Sequence, residues 1–432
     1  MEKNNPKVMR AWCMYDWANS VFSLTITTAI FPDYFLAMTE NPATNNEVSF
    51  LGFNIVNSAL FSYAISCSFL IAAFMSPFLS SIADYSGRKK TFMKAFCYLG
   101  ALSCACLYFF TRDTVIFSTF AFILAGIGFS GSIVFYNSFL PEITTEDMTD
   151  KVSARGFSYG YVGSVILLIF NLMMILKPEW FGGISKTRAV QISFLSVGIW
   201  WFAFAQYSFY YLPGNIYKRS GRGNWIFNGW RELGNVWRQL KWQKALKRFL
   251  LAFFFYNMGV QTIMYISPVF AKEVVKLETE NLIIIILLIQ LVAIPGSLFF
   301  AWLSGKYGNI KGLMIAVVVW IGICVGAYLI RGATDFYMVA VVVGFVMGGV
   351  QALSRSTYAK IIPETSIEHA SYFSFYDVVD KVAISLGSFV FGLVRILTGD
   401  MRLSIVFLGV YFIIGLLFLS RVVMPGRSAG NS

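Results

Sequence analysis

Residues 80–90 read Ser80-Ser81-Ile82-Ala83-Asp84-Tyr85-Ser86-Gly87-Arg88-Lys89-Lys90, and residues 301–311 read Ala301-Trp302-Leu303-Ser304-Gly305-Lys306-Tyr307-Gly308-Asn309-Ile310-Lys311. Each closes a long apolar stretch, turns at a glycine and ends on a basic residue. Gly87 and Gly308 are 221 residues apart. Pro141-Glu142 and Pro363-Glu364 recur at a spacing of 222, and Tyr15-Asp16 is echoed by Tyr256-Asn257. Each match is slight alone. In register, at equivalent ends of apolar stretches, they indicate a duplicated unit.

Composition says what the unit is made of. The chain has 432 residues, 57% hydrophobic and 13% charged, with 43 Phe and 22 Tyr. Ordinary globular proteins have roughly 45–50% apolar and about 25% charged residues. So much apolar surface cannot all be buried in water, which excludes a soluble enzyme, a secreted disulfide scaffold and a disordered chain. A hydrocarbon core ~30 Å thick takes about 20 residues of helix. Twelve such stretches lie near 11–38, 54–82, 92–111, 115–140, 156–177, 189–212, 249–270, 281–304, 312–331, 336–359, 372–397 and 403–422. Their apolarity is continuous rather than alternating, so they are helices and not barrel strands. The expected fold is an all-α membrane protein of twelve helices in two pseudo-symmetric six-helix bundles. Residues 1–212 form the first bundle, 213–248 a basic linker and 249–432 the second. All six Cys lie in apolar stretches without a CxxC pair, so neither disulfide nor metal cluster is expected.

Lys and Arg set the orientation. With the N-terminus cytoplasmic, 23 of the 34 basic residues fall in cytoplasmic segments and 8 in outer loops, so both termini are expected inside. This accounts for the net charge of +12 without nucleic acid. The first apolar stretch is too long and carries Asp16, so it is not read as a cleavable signal peptide. With no Asn-x-Ser/Thr sequon present, a bacterial inner membrane is the expected location. The linker holds nine basic residues against Glu232, with Ile226, Trp230, Leu233, Trp237 and Leu240 at helical spacing. It predicts an amphipathic helix on the inner leaflet with Trp at headgroup depth.

These residues resemble the major facilitator superfamily. Asp84-Tyr85-Ser86-Gly87-Arg88-Lys89-Lys90 is similar to its loop motif, departing at Ser80 and Tyr85. Tyr15-Asp16-Trp17-Ala18-Asn19-Ser20, Ala154-Arg155-Gly156-Phe157-Ser158-Tyr159-Gly160-Tyr161 and Gln351-Ala352-Leu353-Ser354-Arg355-Ser356 resemble the branch of vacuolar amino-acid effluxers and their bacterial relatives. The likeness covers nearly the whole chain. Met258 departs from the acid expected in many relatives. The resemblance implies that substrate sits between the halves, lined by the first, fourth, seventh and tenth helices. It also implies that Asp84, with Gly87 and Arg88, locks the inner gate against the eleventh helix, whose N-terminal dipole favours an anion.

Charged groups within spans cost about 2.5–3.5 kcal/mol each on insertion scales and each needs a reason. Asp16, Asn19, Ser20, Ser23 and Thr27 fall on one face of the first helix at 100° per residue. The fourth helix offers Tyr136 and Asn137, the seventh Asn257, Gln261 and Tyr265, the tenth Gln351, Ser354, Arg355 and Tyr358. Asp16 could carry a coupling proton or pair with Arg155 or Arg10. Arg355 could snorkel, or bind a substrate carboxylate beside Gln351. Asp377 and Lys381, at i and i+4, and Asp380 form either a stiffening ion pair or one that opens as the halves rock. The pairs Gly156/Gly160, Gly322/Gly326 and Gly344/Gly348 predict close helix packing.

The expected function is secondary active or facilitative transport of a small solute by alternating access, with amino-acid efflux implied by the resemblance. A proton-coupled exporter of drugs or amphipaths is the alternative. A membrane enzyme would need clustered nucleophiles or acids, and a second His to serve them is absent. Expected partners are a small-molecule solute, a coupling proton and the bilayer. A monomer without cofactor is expected.

Overall fold

A computed structural model describes residues 2–214, 217, 225–363 and 365–424. Twelve helices are long and apolar enough to cross a bilayer: Pro6–Thr39, Asn57–Ser86, Lys89–Phe109, Arg112–Ile143, Glu146–Leu176, Lys186–Tyr211, Lys244–Glu273, Asn281–Tyr307, Asn309–Leu329, Ala333–Ile361, His369–Thr398 and Met401–Leu419. In this order they are spans 1 to 12 of a multi-pass membrane protein.

The spans outrun their apolar stretches, because hydropathy marks only the part that tolerates hydrocarbon. Span 5 starts at Glu146, ten residues before the expected 156, with Glu146 and Asp147 in a first turn whose dipole favours acids. Span 7 starts at Lys244, so Lys244, Lys247 and Arg248 open a helix instead of ending the linker. Span 1 changes character midway. Asn5 caps it by accepting from Lys7 N at 3.0 Å, and the helix is α to Val21, π over Phe22–Ile30 and α again from Phe31. The i→i+5 winding displaces Ser23 and Thr27 progressively from the line drawn by Asp16, Asn19 and Ser20. The single polar face expected at 100° per residue therefore ends near Val21.

Spans 1–6 pack as one bundle and 7–12 as the other. Within the first, span 1 lies on 5 and 6, span 3 on 4 and 6, and span 2 on 4. In the second, span 7 lies on 11 and 12, span 9 on 10 and 12, and span 8 on 10. Adding six to each number of the first set reproduces the second. The bundles meet along spans 2 and 11 and spans 5 and 8, contacts that exchange under the same rule. Gly87 (φ 68°) ends span 2 and Gly308 (φ 88°) ends span 8, both in the left-handed range where a side chain would be strained.

Two of the three glycine pairs pack as expected. A Cβ at Gly160 would stand 2.4 Å from Ser20 Oγ, and one at Gly348 would stand 2.2 Å from Ala293 O. Gly322 has nothing within 4 Å and Gly326 only Val339 at 3.9 Å, so that pair makes no close approach; spacing alone does not say whether a neighbour is there.

The linker helix Trp225–Trp242 also departs from expectation. It docks on protein and does not only lie on lipid. Gly229 O accepts from Ser81 Oγ of span 2, Trp230 packs on Phe78 and Trp237 on Phe375 of span 11, and Gln239 Oε1 accepts from Tyr372 Oη at 2.6 Å. Val236 is buried, whereas Trp230 and Trp237 keep more than half their surface exposed. The side chains of Ile226 and Leu240 lie outside the described residues. All six cysteines are free.

Candidate functional site

The polar contacts between the bundles cluster at the end where the chain termini emerge. At the end of span 2, Asp84 accepts from Ala370 N (3.3 Å), Ser371 N (2.8 Å) and Ser371 Oγ (2.8 Å) in the first turn of span 11. Free N–H groups of a helix start are partnered there by a carboxylate, with the dipole adding to the attraction. Arg88 is exposed just beyond Gly87. Lys89 is buried and paired with Glu142 of span 4, and Lys90 donates to Leu212 O at 2.6 Å. Lys89 and Lys90 therefore hold protein, beyond any part in topology.

A counterpart lies on the other pair of meeting spans. Asp150, in the second turn of span 5, accepts from Ser304 Oγ (2.8 Å), Asn309 Nδ2 (2.7 Å) and Lys360 Nζ (2.6 Å). Ser371 and Asp150 are 221 residues apart, the spacing of Gly87 and Gly308. The two contacts occupy equivalent positions with polarity exchanged: the carboxylate sits on the helix end in one and near the helix start in the other. Sequence reasoning missed Asp150, although the repeat spacing would have marked it.

Deeper between the bundles, Arg355 of span 10 and Asp16 of span 1 form an ion pair, Nη1 to Oδ2 at 3.1 Å, each only 4% exposed. Tyr136 Oη donates to the same Asp16 oxygen at 2.7 Å. The rest of the guanidinium is also occupied: Nε donates to Ser153 Oγ at 3.1 Å, Nη2 to Ser153 O at 2.8 Å and Nη1 to Asn137 Oδ1 at 3.4 Å. The rings of Trp12 and Phe157 lie 4.6 and 4.0 Å from its carbon. Planar stacking plus fork-like donation suits Arg and not Lys. Arg355 therefore does not snorkel; it is drawn inward because each of its three guanidinium nitrogens finds an acceptor there. The partner of Asp16 is neither Arg10 nor Arg155. Arg155 is exposed and has no hydrogen bond or ion pair among the described residues, because the helix turn that buries Ser153 points it away. Gly156 permits the arrangement, since a Cβ there would stand 2.6 Å from Asp16 Oδ2.

Three further contacts line this seam: Tyr161 Oη donates to Gln351 Oε1 (2.7 Å), Ser158 and Ser297 share a hydrogen bond (3.0 Å), and Ser153 Oγ donates to Ala352 O (2.8 Å). Asn19 is buried with its Nδ2 unpartnered, its Oδ1 3.5 Å from Ser20 Oγ. Ser23 is exposed. Among the described residues no hydrogen bond joins the bundles at their opposite ends.

On span 11, Lys381 Nζ bonds both Asp377 Oδ1 (2.9 Å) and Asp380 Oδ2 (3.3 Å). Asp380 Oδ1 accepts from Asn257 Nδ2 (2.7 Å) and Gln261 Nε2 (3.4 Å) of span 7. Tyr265, one turn on, is two-fifths exposed and makes no hydrogen bond among the described residues. The predicted residues thus divide into two groups: Asp16, Tyr136, Asn137 and Arg355 in one, and Asn257, Gln261, Asp377, Asp380 and Lys381 in the other.

Asp84→Asn is expected to fold but to weaken the span 2–span 11 contact. An amide offers one acceptor oxygen, and its NH2 faces N–H donors. The loss should be about 1.5–3 kcal/mol, the worth of a hydrogen bond to a charged group. Unfolding midpoint and solute flux in vesicles check this; an unchanged flux would separate the contact from transport.

Two pseudo-symmetric six-helix bundles meeting along a polar seam define a transporter of the major facilitator type, not an enzyme. The chain matches the family described as Vacuole effluxer Atg22 like over residues 4–428, and it belongs to that family. It is 33% identical over 424 residues, 98% of this chain and 96% of the other, to the uncharacterized MFS-type transporter YxiO of Bacillus subtilis (strain 168). It is 25% identical to autophagy-related protein 22 of Pichia angusta over 406 residues, 81% of this chain and 72% of that one. Among solved structures, the human organic anion transporter MFSD10 superposes with TM-score 0.71 at 12% identity, covering 97% of this chain and 100% of the other. The transporter FucP in its outward conformation gives 0.68 at 13%, covering 98% and 99%. At such identities the likeness is one of fold.

Proposed function

We propose that the protein exports amino acids across a bacterial inner membrane by alternating access, as a monomer with both termini in the cytoplasm. Residues 1–212 and 249–432 rock against each other, and 213–248 tether them. The observation that carries this reading is the buried Asp16–Arg355 pair between bundles, with Asp84–Ser371 and Asp150–Lys360 beyond it, all toward one end. Asp84 and Arg355 act as locks: their contacts hold one end closed and must part for cargo to leave that way. With all three guanidinium nitrogens of Arg355 engaged by the chain, a substrate carboxylate could reach it only after the lock opens.

Efflux of amino acids draws on the effluxer family and on the polar residues of spans 1, 4, 7 and 10. The test is counterflow in proteoliposomes with labelled amino acids, peptides and nucleosides, with and without a pH gradient. Saturable exchange of amino acids is the expected result, and exchange confined to another solute class would overturn the substrate. Dependence on the gradient would identify a coupling proton.

A further inference from the structure

Two of the buried charge groups differ in balance. Asp16 and Arg355 cancel. Asp377, Asp380 and Lys381 leave one uncompensated negative charge, ~18 Å along span 11 from His369 at 1.5 Å per residue. A buried pair kept only for structure would be expected to be balanced, since an unmatched charge at membrane depth is costly. One carboxylate oxygen is also idle: Asp377 is only 6% exposed, and its Oδ2 has no hydrogen-bond partner. Asp380 keeps a side-chain exposure of 21%, so the group can be reached. Lys381 Nζ lies 5.6 Å from the ring of Phe69 on span 2, placing its ammonium on the line where the bundles meet.

We propose that this cluster seats the primary ammonium group of the transported solute, with Lys381 remaining paired to Asp377 Oδ1 beside it. The inference rests on the transport reading above. A primary ammonium brings one positive charge and three N–H donors. Asp377 Oδ2, Asp380 and the side-chain oxygen of Gln261 offer acceptors of matching number, and the charge restores neutrality. A sugar brings no charge, an organic anion the wrong one, and a quaternary ammonium no donor. Amines and amino acids with a free amino group are the class that fits.

The test uses purified full-length protein in detergent, with thermal unfolding followed by tryptophan fluorescence. Ethylammonium chloride is titrated against tetramethylammonium chloride at equal ionic strength. Ethylammonium should raise the midpoint saturably and tetramethylammonium should not. Asp380→Asn should weaken the apparent affinity by about ten- to a hundredfold, the loss of one charge-assisted hydrogen bond. Lys381→Met should tighten it, because the fixed positive charge that repels the incoming ammonium is gone. Equal responses to the two salts, an unchanged affinity in Asp380→Asn, or a midpoint that moves with pH alone while ethylammonium is silent would each overturn the proposal. The wild-type comparison stands even if a variant fails to fold. Failure of all counterflow with the ethylammonium response intact would remove the transport reading but leave the binding seat.

Discussion

Arg355→Ala abolishes exchange and lowers stability by about 3–5 kcal/mol, because it strands Asp16 without any other paired cation among the described residues. Asp16 is only 4% exposed, and the Tyr136 hydroxyl left beside it does not neutralise a carboxylate. The loss also exceeds the pair itself, since Ser153 and Asn137 lose a donor and the Trp12 and Phe157 rings lose their stacked guanidinium. Combining Asp16→Asn with Arg355→Gln separates folding from function. With both charges gone, stability returns most of the way towards wild type, as replacement of a whole buried pair is often near neutral. Exchange stays slow, because the bundles are no longer latched by a contact that breaks and re-forms. Unfolding midpoints in detergent and counterflow rates in vesicles read the two effects apart. Normal exchange in Arg355→Ala would remove Arg355 from the transport cycle.

The second large effect falls far from any charge. A Cβ at Gly296 would stand 2.0 Å from Phe345 O, and one at Gly348 2.2 Å from Ala293 O, so spans 8 and 10 touch backbone to backbone in both directions. A carbonyl cannot swing aside as a long side chain can. Gly296→Ala and Gly348→Ala are expected to cost at least the 1–3 kcal/mol typical of overpacking, roughly. Gly322→Ala, with open space around it, should stabilise by about 0.5–1 kcal/mol through helix propensity. Opposite signs from one substitution type, read as shifts in unfolding midpoint, test the packing directly. A destabilised Gly322→Ala would mean that spacing, and not approach, governs these positions.

Asp84 shows how far local patterns reach. Its motif predicted a carboxylate beside the start of span 11, and Ser371 N stands 2.8 Å from it. Asp377 and Lys381 were legible for a similar reason, because i and i+4 on one helix are neighbours whatever else the chain does. Asp16 and Arg355 were each conspicuous as charges within spans, but their pairing was not. They are 339 residues apart in different bundles, and nothing local says how each helix is rotated. Span 1 makes the point twice, since its π-helical stretch is invisible in hydropathy and alters which side chains share a face. Arg155 carries the same lesson from the other side: it sits in a telling motif, yet two residues from Ser153 it points elsewhere.

Hydropathy, the 221-residue repeat and the basic-residue asymmetry belong to the sequence alone, because lipid solvation and duplication act residue by residue and leave periodic marks. They determined twelve helices and two bundles, and the motifs around Asp16, Asp84, Arg155 and Gln351 carried the family resemblance. Which carboxylate meets which cation, whether a glycine has a neighbour, and where the linker helix rests were decided only by the docking of one bundle on the other. Those contacts depend on the rotation and approach of helices distant in the chain, quantities that one-dimensional order does not contain.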